Sequence, residues 1–304
     1  MKEFKEFYGL RIPLGDQQKR SINMHHNPPR TPQFYVTAPQ KCPYIKGKAE
    51  RKLFTALYGR NSEQLNDDLS LQGFRRSQKV LYKPLCTNCS ACLSLRVKVK
   101  DFKPSKSQRR VLSKNNCIKR LEKDPEATDE QFSVFKAYLT ARHLNGGMSE
   151  MDALEFSAMI EETNVHTTVF EYRINDEVMA DKLLAVCLTD VTADGLSMVY
   201  SFYDPAYQSL SLGRFMILDH IKLAKELNLN YLYLGYWIRH NEKMGYKADY
   251  KPAEVYHLNK WTNLIEKEIE VFDLNTGYQL PEIQENSTGI ETIIQLPRFT
   301  TDPN

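Results

Sequence analysis

Three cysteines, Cys86, Cys89 and Cys92, stand at two-residue gaps in YKPLCTNCSACLSLRVKVKDFKPSKSQRR, Tyr82 to Arg110. Such gaps let a tight turn aim several thiolates at one point, as a metal site requires. A tetrahedral site needs a fourth ligand, and Cys42 in KCPYIKG is the natural one from the same unit. Three close cysteines and a distant one suit zinc or an iron–sulfur cluster. They equally suit reduced, unmetallated thiols. Cys117 fits less well in a basic segment, and so does Cys187 in an apolar strand, where cysteine acts as a small hydrophobe.

The motif runs into cations. Between Arg96 and Arg120 the only acid is Asp101, against ten lysines and arginines that include Arg109 and Arg110. Within it LRVKVKDF alternates, with Leu95, Val97 and Val99 on one face and Arg96, Lys98 and Lys100 on the other. A run this long with so little acid favours a phosphate-contacting surface over a merely solvated sheet face. Elsewhere, the loop SLSLG, with Ser211 and Gly213, opens a helix and offers free N–H groups to a phosphate or oxyanion. Around it lie Tyr203 and Asp204 of SFYDP, and Tyr236, Lys243 and Tyr246 of LGYWIRHNEKMGYK. Arg75 and Arg76 of GFRRS are cations able to fork onto a carboxylate.

These residues need elements to hold them. Residues 1–38 read as irregular, because HHNPPRTPQ is rich in proline and asparagine. A cysteine-motif domain spans 39–120, with a helix around LNDDLSLQGF. A second unit spans 121–273. Thr128 and Gln131 have capping-box spacing, and Phe132, Phe135 and Leu139 mark one face of the helix that follows. Ser149 and Asp152 suggest a second helix start. Three strands then form an antiparallel meander, with turns at Asn175–Asp176 and Ala193–Asp194–Gly195. A helix carrying Ile217, Ile221 and Ala224 and a strand, NYLYLGYWI, complete the unit, and 274–304 reads as a tail.

Composition sets the outer limits. The 304 residues are 41% hydrophobic and 26% charged, as in an ordinary globular protein of one or two domains. No apolar run approaches the roughly 20 residues of a membrane helix. The N-terminus lacks a secretory signal, so a cytoplasmic protein with reduced thiols and no membrane partner is expected. Net charge is only +3, so any nucleic-acid surface is local.

Taken in order, CPYIKGKAERKLFTAL, GFRRSQKVLYKPLCTNCSACLSLRVKVKDFKPSKSQRR, ARHLNGGM, SFYDP, SLSLG and LGYWIRHNEKMGYK resemble the bacterial aminoacyl-tRNA–protein transferases. These are leucyltransferases that act on N-terminal aspartate and glutamate, related to the eukaryotic arginyltransferases. The resemblance runs from about Cys42 to Tyr256. It implies an α+β protein: an N-terminal cysteine-motif domain plus a C-terminal GNAT-like acyltransferase domain of meander, loop-to-helix and strand. It also implies transfer of an amino acid, leucine first, from charged tRNA to a protein α-amine, marking the acceptor for N-degron degradation. No cofactor is required for that transfer. Arg75, Arg76 and Lys243 would meet the acceptor carboxylate. Arg109 and Arg110 would meet tRNA phosphates, and Asp204, Tyr203, Tyr236 and Tyr246 would serve the chemistry. Leu210 replaces the arginine that relatives usually carry before Ser-Leu-Gly. The rival readings are arginyl transfer, a coenzyme A-dependent acetyltransferase, and a non-enzymatic RNA-binding protein.

Overall fold

The computed structural model describes residues 32–142, 148, 150–174 and 181–265, and the backbone of strands Ile283–Glu285 and Glu291–Ile293. In chain order the first region holds β1 (Phe34–Val36), the short pair β2 (Gln40–Lys41) and β3 (Ala49–Glu50), β4 (Lys52–Ala56), α1 (Ser62–Ser70), β5 (Arg75–Ser77) and β6 (Val80–Pro84). Then come β7 (Leu93–Lys98), α2 (Lys106–Lys114), β8 (Ile118–Lys123), α3 (Asp129–Arg142) and α4 (Ala153–Glu161). The rest is β9 (Thr167–Ile174), β10 (Lys182–Val191), β11 (Gly195–Tyr203), α5 (Leu212–Glu226), β12 (Tyr231–Trp237), β13 (Ala253–His257), β14 (Lys260–Asn263), β15 (Ile283–Glu285) and β16 (Glu291–Ile293).

The strands form two main sheets. One is six-stranded, in the order β15-β16-β1-β4-β6-β5, and the other eight-stranded, β14-β13-β7-β12-β11-β10-β9-β8. The larger sheet is covered on both faces, so its strands bury successive side chains. Ala185 and Cys187 of β10 pack with Phe215, Met216 and Ile217 of α5. Val186 and Leu188 face the other way, onto Phe135 of α3 and Phe156 and Ile160 of α4. Burial pushes the Cys187 thiol up to about 12, so this cysteine is core packing. His220 is equally buried, pushed down to about 4 by loss of solvent, and held between Met216, Thr189 and Tyr172.

The helix starts have local causes. Thr128 and Gln131 exchange side chain-to-backbone bonds before α3, as Asp152 and Glu155 do before α4. Ser105 and Gln108 do the same for α2. The meander β9-β10-β11 is antiparallel, and β12 joins β11 in parallel after α5 crosses the sheet.

The strand β7, assigned from sequence to the cysteine-motif domain, lies inside the larger sheet between β12 and β13, and β8 forms that sheet's edge. Within the stretch read as irregular, β1 pairs with β4, and within the tail, β16 pairs with β1. The expected turn at Asn175–Asp176 and the Ser149 helix start lie outside the described residues. Among the described residues no helix is long and apolar enough to cross a membrane.

Candidate active site

The parallel strands β11 and β12 stay paired for only three residues, Gly195↔Tyr231 to Ser197↔Tyr233, and then part. Each strand is irregular at that point. The pairing of β10 with β11 skips Val199, and that of β12 with β7 skips Leu234. A β-bulge leaves backbone groups without ladder partners and re-aims the chain. Arg75, from β5 at the edge of the smaller sheet, reaches the foot of the parting. Its Nη2 donates to the carbonyls of Met198 and Val199, both at 2.9 Å, and its Nη1 lies 3.4 Å from that of Leu234. The neighbouring Gly235, at φ +75°, makes this possible: a Cβ there would lie 1.1 Å from Arg75 Nη1.

Further groups gather where the strands diverge. Tyr203, at the end of β11, holds its phenol oxygen against Arg142 Nε and Nη2, at 3.1 and 2.5 Å. Its ring meets Tyr138 edge-on, with centroids 5.0 Å apart. A Cβ at Gly213 would lie 3.5 Å from that ring, so the first turn of α5 passes beside it. Tyr246 completes the group, its phenol pushed up by burial and by Tyr203 and drawn back by Arg75 and Arg214. Lys247 follows, and its Nζ donates to Tyr236 O at 2.7 Å. Loss of solvent and the charge of Arg75 bring this lysine down to about 7.

The basic helix α2 braces both flanks. Lys114 Nζ and Asn115 Nδ2 donate to the carbonyls of Ser209 and Leu210, at 2.9 Å each, holding the SLSLG loop. Gln108 Nε2 donates to Asp249 O at 3.1 Å, on the turn that carries Lys247. Lys106, Arg109 and Arg110 are exposed. Ser211 sits at φ +53° as the helix entry, with no side-chain cap bond.

Arg75, Tyr203, Tyr246 and Gly213 thus come together. Other expected site residues do not. Arg76 is buried and bound by Nε and Nη2 to both oxygens of Asp190, at 2.6 Å each, with Thr167 and the Gln78 carbonyl as further partners. Its side chain is 1% exposed and committed to Asp190. Tyr236 is buried too, its hydroxyl donating to Tyr82 O at 2.9 Å and lying 3.2 Å from Gly73 O, so it joins the two sheets. Asp204 Oδ1 accepts from Ala206 N, and Oδ2 lies 3.3 Å from Lys182 Nζ, so the carboxylate caps a turn. Lys243 is exposed on the following loop. Arg96 and Arg120 leave the proposed phosphate surface. Arg96 lies between the Tyr231 and Trp261 rings and pairs with Glu254, while Arg120 pairs with Asp219. Lys247, Tyr138, Arg142 and Arg214 were not expected here, although Arg142 belongs to the ARHLNGGM motif.

The four cysteines lie in one neighbourhood, beside the smaller sheet. Burial pushes the Cys92 thiol up to about 12, and the neighbouring Cys86, Cys89 and Cys42 thiols and the Glu50 carboxylate add to the rise. Cys42 Sγ accepts the Ile45 N–H at 3.4 Å. As the side chains lie, no three His, Cys, Asp or Glu groups among the described residues converge tightly enough to hold a metal ion. The donor set itself, four cysteine sulfurs, is of the type a thiophilic cation takes as thiolates.

Comparison with known proteins agrees with this two-part arrangement. A family model described as the arginine-tRNA-protein transferase N terminus matches residues 40–110, and its C-terminal counterpart matches 130–257. An aspartate/glutamate leucyltransferase of Dinoroseobacter shibae is 56% identical over 244 residues, covering 78% of this chain and 86% of the relative. One from Cereibacter sphaeroides is 54% identical over 242 residues (79% and 86%), and one from Paracoccus denitrificans 54% over 246 (78% and 88%). The solved structure of L-PGS from Bacillus licheniformis aligns at a TM-score of 0.38 and 13% identity over 62% of this chain and 54% of that one, too faintly to argue from. The chain belongs to the tRNA–protein transferases and, among them, to the aspartate/glutamate leucyltransferase family.

Proposed function

We propose that this protein transfers leucine from leucyl-tRNA to the α-amino group of proteins beginning with aspartate or glutamate. The new N-terminal leucine then marks the acceptor for N-degron degradation. The observation that carries the reading is the identity of 54–56% to relatives bearing that name, over more than three quarters of the chain. An arginyl donor is the second reading, drawn from the family models' description.

The chemistry asks little of the protein. The donor is an ester, already activated, so neither ATP nor coenzyme A enters. The nucleophile is an α-amine whose pKa of roughly 7.7–8.0 leaves a useful neutral fraction. A C–N bond forms, the ester C–O bond breaks, and one proton moves from nitrogen to the departing tRNA hydroxyl. Positioning and oxyanion stabilisation can supply most of the rate.

The parting of β11 and β12, lined by Arg75, Tyr203 and Tyr246, is the site we assign to the ester, as the cleft of a GNAT-like domain. The exposed cations of α2, with Arg142 and Arg214 at the mouth, suit the phosphates of the acceptor stem. The rings of Tyr138 and Tyr203 suit the terminal base. With Arg76 committed to Asp190, the acceptor carboxylate falls to Arg214, whose pairing to Asp249 is long at 3.7 Å and exposed, and to Lys243. Cys42, Cys86, Cys89 and Cys92 would hold a zinc ion or iron–sulfur cluster, which would contribute folding energy to the N-terminal region and take no part in transfer.

The test offers purified protein labelled leucyl-tRNA or arginyl-tRNA with peptides beginning in Asp, Glu or Ala. Leucine should pass to the Asp and Glu peptides alone. Transfer of arginine instead would establish the second reading. Acetyl-CoA turnover, or tRNA binding without transfer, would overturn both.

A further inference from the structure

Any such transfer must move a proton, and the site's obvious groups are occupied. Asp204 is tied to Ala206 and Lys182. His220 is enclosed in the core, and the Tyr203 phenol is held by Arg142. Lys247 is different. Its 3-10 turn, Gly245–Asp249, carries the amine to the carbonyl of Tyr236, one residue past the glycine against which Arg75 lies. The residue is half-buried, and no carboxylate among the described residues pairs with it.

The groups around it are few. Arg75 comes from β5, the Tyr236 carbonyl from β12, Tyr246 from the same turn, and Arg214 from α5 beyond Tyr246. Among the described residues, burial first and then the positive charge of Arg75 act on the amine, and both disfavour the ammonium form. An amine bonded to one carbonyl, beside a guanidinium and without an acid, keeps a lone pair available near neutral pH.

We propose that Lys247 is the proton carrier of the transfer: its neutral amine takes the proton from the attacking α-amine nitrogen and returns it to the tRNA hydroxyl as the ester C–O bond breaks. The balance closes without any other reactant, and Lys247 ends each cycle neutral. The proposal rests on the transfer reading above and goes beyond it by naming the base.

The test is single-turnover leucyl transfer against pH, with leucyl-tRNA affinity measured separately. The wild-type rate should rise through an apparent pKa near 7, that of Lys247. Lys247→Met, similar in length and uncharged, should lose roughly 10²- to 10³-fold in rate, the range for removing a general base, with tRNA affinity unchanged. Its remaining limb should move to the pKa of the acceptor amine. Lys247→Arg, always protonated, should be equally slow. A Lys247→Met rate within about threefold of wild type, or an equal loss of tRNA affinity, would overturn the proposal. Should Lys247→Met fail to fold, the wild-type profile decides across acceptor peptides of different amine basicity. A limb that follows the peptide, with none fixed near 7, also overturns it. Absence of leucyl transfer in the wild type would instead sink the functional reading itself.

Discussion

Arg75 and Arg76 adjoin in sequence and fasten the smaller sheet to the larger one at two different points. The Arg76–Asp190 pair is buried on both sides, each side chain 1% exposed. Removing one partner strands the other charge, which costs about 3–5 kcal/mol. Arg76→Ala should therefore lower the unfolding midpoint sharply, and its loss of transfer should track the loss of folded protein. A folded, stable Arg76→Ala with altered acceptor preference would restore the carboxylate role to this residue. Arg75 makes its own prediction through Gly235. Gly235→Ala adds left-handed strain of about 1–2 kcal/mol and also expels the guanidinium. In an Arg75→Ala background only the strain should remain, so thermal unfolding should show strong non-additivity. Equal costs in both backgrounds would mean that Arg75 does not occupy the parting as described. The sequence marked Arg75, Tyr203 and Tyr246 as chemical residues. It could not tell Arg75 from Arg76, because the partner that commits Arg76 lies 114 positions away.

Among the elements, α2 has the most exposed role. Its capping box fixes where it starts, and its C-terminal residues bond to the SLSLG loop. Its outer cations, Lys106, Arg109 and Arg110, are exposed. Replacing Arg109 and Arg110 by alanine removes two exposed charges, so the log–log dependence of tRNA affinity on salt should flatten by up to about two units. Acceptor preference should not change. An unaltered slope would place the tRNA elsewhere. The helix start at Thr128 was legible from sequence, since a capping box is local chemistry, and so was the meander, since strand alternation is local too; the equivalent box at Ser105 and Gln108, which starts α2, lay unread inside the basic run. The place of β7 was not. Its alternating Leu95, Arg96 and Val97 read as a half-solvated strand, but Arg96 is taken out of water by Tyr231, Trp261 and Glu254, from strands far along the chain.

At the scale of the molecule, the two sheets meet around a divergence that neither builds alone. The larger sheet supplies the parted strands, and the smaller one supplies the arginine that satisfies their carbonyls. The N-terminal and C-terminal family segments, matched separately over 40–110 and 130–257, therefore both contribute residues to the divergence. The strand β7 follows the cysteine motif directly in sequence yet belongs to the larger sheet. The central claim is that the aminoacyl ester sits in that parting. It can be tested with 3′-deoxyadenosine carrying leucine through a 3′-amide, which mimics the charged tRNA end but cannot be cleaved. A crystal structure of the complex should place the leucyl carbonyl between β11 and β12, within reach of Arg75 and Lys247, with the adenine against Tyr138 and Tyr203. The analogue bound along α2 or at the cysteine loops, with the parting empty, would contradict the account.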